Sequence, residues 1–153
     1  MAFERVFTVD DYYDGPRAGI ASYQGRPHHY LCEWDEARDD YSDTFRLTPI
    51  DEETFSLAME QWSIWEQWES AFRRGEVAQS THPALPGSNR RYAELQRTIE
   101  ALLASRPTLS DRKRGTFRSS AAAGKEVEWS DAATSTSDPF DPPNPDRGGL
   151  PGR

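Results

Sequence analysis

A chain of 153 residues has room for one domain of ordinary size with a short appendage. Its 26 acidic against 18 basic side chains leave a net charge of -8, a poor match for a phosphate backbone, whose binding draws mainly on Lys and Arg. Only 35% of the residues are hydrophobic, and charges interrupt every apolar stretch before it reaches the roughly 20 residues of a membrane helix, so neither direct nucleic-acid binding nor membrane insertion is expected.

At the N-terminus, Glu4 and Arg5 stand where a secretory signal would need an unbroken apolar run. The first half of the chain reads as strands. Phe3–Val9, Arg17–Tyr23, His28–Trp34 and Thr44–Leu47 are short, rich in aromatic and branched residues, and bounded by Gly, Pro and Asp. Gln24-Gly25-Arg26-Pro27 has the composition of a tight hairpin connection, with Gly25 able to take a positive φ. Short loops between successive strands favour an antiparallel meander of three to four strands.

Near residue 50 the apolar period becomes helical. Asp51 suits an N-cap, Glu52 and Glu53 complement the helix dipole, and Gly75 suits a left-handed C-terminal position, giving a helix over 52–74 about 34 Å long. Its apolar arc includes Phe55, Ala58, Met59, Trp62, Trp65 and Phe72, flanked by Leu57, Ile64 and Trp68. That arc is wider than one contact face requires, and it predicts cover from the sheet on one side and a second helix on the other. The second helix, capped by Ser88 or Asn89 and running through about 105, carries Tyr92, Leu95, Ile99, Leu102 and Leu103 on one stripe. Pro107 marks its end.

Beyond this point the composition changes. Residues 107–153 contain only three of the 18 aromatic side chains, together with six Pro, five Gly and six Ser. So little apolar surface does not offset an ordering cost of roughly 1–2 kcal/mol per residue. The expected organisation is therefore a single α+β domain over 1–109, its β-meander packed on two C-terminal helices, and a disordered tail over 110–153. Within that tail, Lys125–Trp129 (KEVEW) alternates charge with apolar groups and is the one stretch able to add a strand.

Motifs that would announce an enzyme are absent: there is no glycine-rich phosphate loop, no H-E-x-x-H and no G-x-S-x-G. His28 and His29 are neighbours on a strand and point to opposite faces, while His28 and Cys32 are about 13 Å apart along it, so no zinc site is expected. Cys32, the single cysteine, reads as a small core residue of a cytoplasmic protein. The Trp62, Trp65, Trp68 row reads as core packing, and Arg112-Lys113-Arg114 with Arg118 as a solvated basic stretch. No catalytic residue, metal ligand or cofactor is assigned.

The loops carry the functional expectation. In an up-and-down meander, the first and third connections lie at the same end of the sheet. Asp10, Asp11, Asp14, Asp35, Glu36, Asp39, Asp40 and Asp43 should then converge beside Tyr12, Tyr13 and Tyr41, with only Arg38 in those loops to offset them. Like charges gathered this closely repel one another, which suggests a compensating partner. The expected function is a small acidic protein-binding or inhibitory module, immunity- or inhibitor-like, that docks a basic protein surface through these residues. The alternative is a metal-dependent enzyme using the same carboxylates as ligands.

Overall fold

The structure, a computed structural model, describes residues 2–105, 110–122 and 124–132. Seven strands form one antiparallel sheet: β1 (Glu4–Arg5), β2 (Asp11–Tyr12), β3 (Pro16–Tyr23), β4 (Arg26–Asp35), β5 (Asp40–Pro49), β6 (Asp111–Ser120) and β7 (Gly124–Asp131). Their spatial order is β1-β7-β6-β5-β4-β3-β2. Helices α1 (Glu52–Arg73) and α2 (Arg90–Ala104) lie between β5 and β6 in the chain. The class is α+β, but the sheet has seven strands rather than three to four, and the helices interrupt the run of strands instead of following it.

The N-terminal segment curls the sheet. Glu4 and Arg5 pair with β7, and the Val6 amide donates to Lys125 O at 2.9 Å. One residue later the segment changes partner: the Phe7 and Thr8 amides both donate to Ile20 O, at 2.8 and 3.1 Å, and Val6 bridges Ala21. The expected continuous strand over 3–9 is thus divided between β7 and β3. By joining these two strands, it wraps the sheet around one face.

That inner face is apolar and aromatic. Tyr30, Phe45, Leu47, Val127 and Trp129 are buried together, with Phe117 packed against them. The Phe45 and Trp129 rings lie 5.7 Å apart and edge-on, and Phe117 is 5.9 Å from Trp129. The polar tips of the large rings are satisfied, as burial requires: Trp129 Nε1 donates to Ser22 O at 2.9 Å, and Tyr30 OH to Thr8 O at 2.8 Å. Gly19 makes this approach possible, because a Cβ there would lie 2.3 Å from Thr8 O. On β4 the inward set is His28, Tyr30 and Cys32. A register shift between Cys32 and Trp34 then breaks the alternation, and Trp34 emerges half exposed.

The helices cover only part of the outer face, where Leu31 of β4 stays 48% exposed. Ile20 and Ile50 meet Ala58 of α1 and Leu95 and Ile99 of α2 in a second apolar cluster. Asp51 caps α1 by accepting from the Thr54 amide at 2.8 Å, and Asn89 caps α2 by accepting from Tyr92 at the same distance. Gly75 takes the positive φ expected just past α1. The wide apolar arc is only partly enclosed: Thr54, Ala58 and Gln61 are the buried residues of α1. Trp62 and Trp65 are half-buried and stack on each other at 4.7 Å. Trp68 stacks on Phe72 at 5.1 Å, lies 4.5 Å from the His82 ring and donates to Thr81 Oγ1. The Trp row is therefore a partly covered flank of α1, with the 75–88 loop over its far end, and not the centre of the core.

The boundary expected at 109 is also corrected. β6 and β7 lie within the stretch assigned to the tail, and they supply Phe117, Val127 and Trp129 to the inner face. Their composition is polar because the outward positions hold charges that pair across strands. Arg112 Nη2 is 2.6 Å from Glu33, Arg114 Nη2 3.0 Å from Asp43 and Arg118 Nη2 2.7 Å from Glu126. Averaged over 47 residues, this alternation is invisible. The stretch KEVEW is most of β7. The rest of the expected tail, residues 133–153, lies outside the described residues. Among the described residues, no helix is long and apolar enough to cross a membrane.

Candidate functional site: the mouth of the curled sheet

The strand registers place three connections at one end. Ala18 pairs with Leu31 and Asp35 with Asp40, so the β2–β3 and β4–β5 connections meet, as the meander argument requires. Thr44 pairs with Arg114, which brings the β6–β7 connection to the same end. The Gln24-Gly25 turn, with φ of 53° and 76°, closes the opposite end.

Two of the predicted acidic residues are held in place by their own loops. Asp35 Oδ1 accepts from the Ala37 amide at 3.0 Å, and Asp40 Oδ1 from the Tyr41 amide at 2.7 Å. Asp14 and Asp39 adopt positive φ, a conformation that Asp and Asn tolerate better than most residues. Asp11, Asp14, Glu36, Asp39, Asp40 and Asp43 are exposed, and Asp35 is half-buried. Tyr12 and Tyr13 are 64% and 65% exposed. Tyr41 is less so, because Tyr13 and Trp34 flank its ring at 6.0 and 5.1 Å and the Arg17 guanidinium lies 4.6 Å over it.

Asp10 stands apart from the others. Its amide donates to Ala18 O, and Thr8 Oγ1 donates to its carboxylate at 3.4 Å. Burial of the carboxyl pushes its pKa up to about 6, the Thr8 hydroxyl opposing the shift, and its charge also helps to raise the phenols of Tyr30 and Tyr92. A raised carboxyl pKa penalises the ionised form in the fold. The penalty is absent below about pH 4, grows up to about pH 6 and is fully present above that. The residue as a whole is solvent-exposed, so screening reduces the effect to about 1 kcal/mol. Asp10→Asn is accordingly expected to raise Tm by a few degrees at pH 7 and to leave it unchanged at pH 4, as thermal melts at the two pH values will show.

Cations that the sequence reading placed in a solvated tail, or did not consider, complete the mouth. Arg114 neutralises Asp43, and Arg118 and Lys125 reach the same end. Arg17 is held by Tyr13 O at 2.7 Å, Asp14 O at 3.1 Å and Cys32 Sγ at 3.5 Å. The end is consequently less negative than its loops alone imply. The missing signal was the alternation of Arg112, Arg114 and Arg118 with Lys113 and Phe117, which reads as a strand only when a sheet edge is available to receive it.

Metal chemistry would need several ligands aimed at one point. Among the described residues, no three His, Cys, Asp or Glu side chains are grouped to hold a metal ion. His28 is buried with Nδ1 2.9 Å from Arg26 O, and burial lowers the pKa of His29. Cys32 lies in the inner cluster, its thiol pKa raised chiefly by burial and its Sγ 3.1 Å from Ser42 O. A buried thiol of this kind is a weak nucleophile. Compared with models of known protein families, with curated proteins and with solved structures, the chain matches none of them.

Proposed function

We propose that the chain is a binding module that docks a basic protein surface through the acidic, aromatic rim of the mouth, in an inhibitor- or immunity-type role within the cytoplasm. One observation carries the reading. Tyr12, Tyr13 and Trp34 are at least half exposed, and they stand among exposed carboxylates from two separate connections. Exposed aromatic rings provide anchors that bury large apolar area at little entropic cost, and carboxylates around them steer a cationic partner toward the rim. A nucleic-acid-acting enzyme, with its basic cleft, has the surface such a rim complements.

The test begins with capture of partners on the full chain, followed by stopped-flow association with the captured protein. Replacing Asp11, Asp14, Asp39 and Asp40 with Asn removes four charges while retaining the side-chain oxygen that accepts from Tyr41 N and the residue type suited to positive φ. Association is expected to slow by about tenfold or more and to lose most of its salt dependence. Glu94→Gln with Glu100→Gln on α2 changes charge away from the rim and is expected to have little effect. Equal weakening by both sets would reduce the reading to net charge alone, and no weakening by either would remove the rim as the site.

A further inference from the structure

Inside the rim lies a cavity of about 710 Å³, within the range that holds small organic ligands. Its apolar wall is made by Phe45 and Phe117, whose rings lie 5.3 Å apart above the buried Trp129 and Tyr30. Gly115 of β6 also lines it, and a Cβ there would come within 2.8 Å of Trp129 and 3.0 Å of Phe117. Glycine in the middle of a strand weakens it, and here its missing side chain leaves the aromatic surface uncovered.

The polar wall is cationic. Arg17, Arg38, Arg118 and Lys125 line the cavity against two carboxylates, Asp14 and Asp43. Asp43 is taken by Arg114 and Arg118 by Glu126. Among the described lining residues, three cations then remain for one unpaired carboxylate, Asp14. Arg17 is fixed by two carbonyls and a thiol, none of which carries a full negative charge. Among the described residues, the Arg38 side chain has no ion pair. Lys125, a partly buried residue, likewise has no ion pair among the described residues, and its ammonium lies 5.5 Å from the Tyr12 ring. Cations gathered beside an apolar wall with few counter-charges create a local positive field that an anionic ligand would complement.

We propose that this cavity binds a small organic anion with an aromatic body, its carboxylate, sulfonate or phosphate group between Arg38, Lys125 and Arg17 and its ring on Phe45 and Phe117. The cavity shares Tyr12, Asp14, Tyr41 and Asp43 with the rim, but anion binding draws on the cations and protein docking on the carboxylates, so the charge variants below separate the two readings.

The probe is 1-anilinonaphthalene-8-sulfonate, titrated into the full chain by fluorescence, beside its uncharged counterpart N-phenyl-1-naphthylamine. One saturable sulfonate site per chain is expected. Arg38→Gln with Lys125→Gln should weaken the sulfonate by tenfold or more and the uncharged compound by less than twofold. Phe117→Leu should weaken both. The variant with Asn at 11, 14, 39 and 40 should bind the sulfonate as well as the parent or better. Displacement by 1-naphthoate would assign a carboxylate ligand, and displacement by 1-naphthyl phosphate a phosphate ester. The proposal is overturned if sulfonate binding does not saturate at one site, if the double cation variant binds it unchanged or loses both probes alike, or if neither displacer competes. Thermal melts confirm that each variant is folded. A cation variant that is unfolded is replaced by Arg38→Lys with Lys125→Arg, which keeps the charge and should keep sulfonate binding within threefold; a greater loss also overturns the proposal.

Discussion

A chain ending at residue 109 is expected to lose cooperative unfolding. The cut removes β6 and β7, and with them Val127 and Trp129, which are 0% and 6% exposed, and the Phe117 ring packed beside them. Emptying one large aromatic site costs about 3–5 kcal/mol, and burying a valine contributes roughly another 1.5–3. Domains of this size have about 5–15 kcal/mol in total. The cut also unpairs β5 along Thr44–Leu47 and leaves β1 without the strand it pairs with. Two bare edges would favour association between chains over refolding. A chain ending at Ala132 retains every residue of both apolar clusters and is expected to melt with the full chain. Circular dichroism melts of the two truncations decide the matter. A sharp transition for the chain ending at 109, close to that of the full chain, would mean that β6 and β7 are appended to a core complete without them.

The elements that were legible in the sequence are those whose partners are local. Asp51, Asn89 and Gly75 mark helix ends through bonds and dihedrals within a few residues, and α1 and α2 begin and end within a residue or two of the expected positions. The Gln24-Gly25 turn sets the β3–β4 pairing for the same reason. What was not legible depends on distant partners. The N-terminal segment changes from β7 to β3 at Val6, and nothing in residues 3–9 announces the change. β6 needs β5 beside it, and its pairing with residues some 70 positions earlier gives no local period strong enough to stand out from a polar background. The site shares this division. The meander argument correctly brought the β2–β3 and β4–β5 connections together, because it needs only adjacent strands. It missed the third connection and its cations, and so overstated the negative charge of the mouth.

Two tryptophans separate the expected core from the observed one. Trp65 lies near the middle of the apolar arc of α1, yet it is half-buried and its main ring contact is Trp62. Trp129 comes from a polar stretch, yet its indole packs against both Phe45 and Phe117 and donates to Ser22 O across the inner face. Trp129→Ala is expected to cost about 3–5 kcal/mol by leaving a cavity that the surrounding rings cannot fill. It also leaves the Ser22 carbonyl without that donor, a further cost of about 1 kcal/mol. Trp129→Phe restores most of the packing and isolates the lost hydrogen bond, for about 1–2 kcal/mol. Trp65→Ala gives up a partly solvated contact and one aromatic stack and should cost only about 1–2 kcal/mol. Urea unfolding of the three variants supplies the comparison, with an unchanged slope showing that two-state behaviour holds. If Trp65→Ala proves as damaging as Trp129→Ala, the flank of α1 is buried more deeply in solution than its exposure here implies. If Trp129→Ala costs less than about 1 kcal/mol, the inner face is loosely packed, and the aromatic wall assigned to the anion cavity loses its rigid backing.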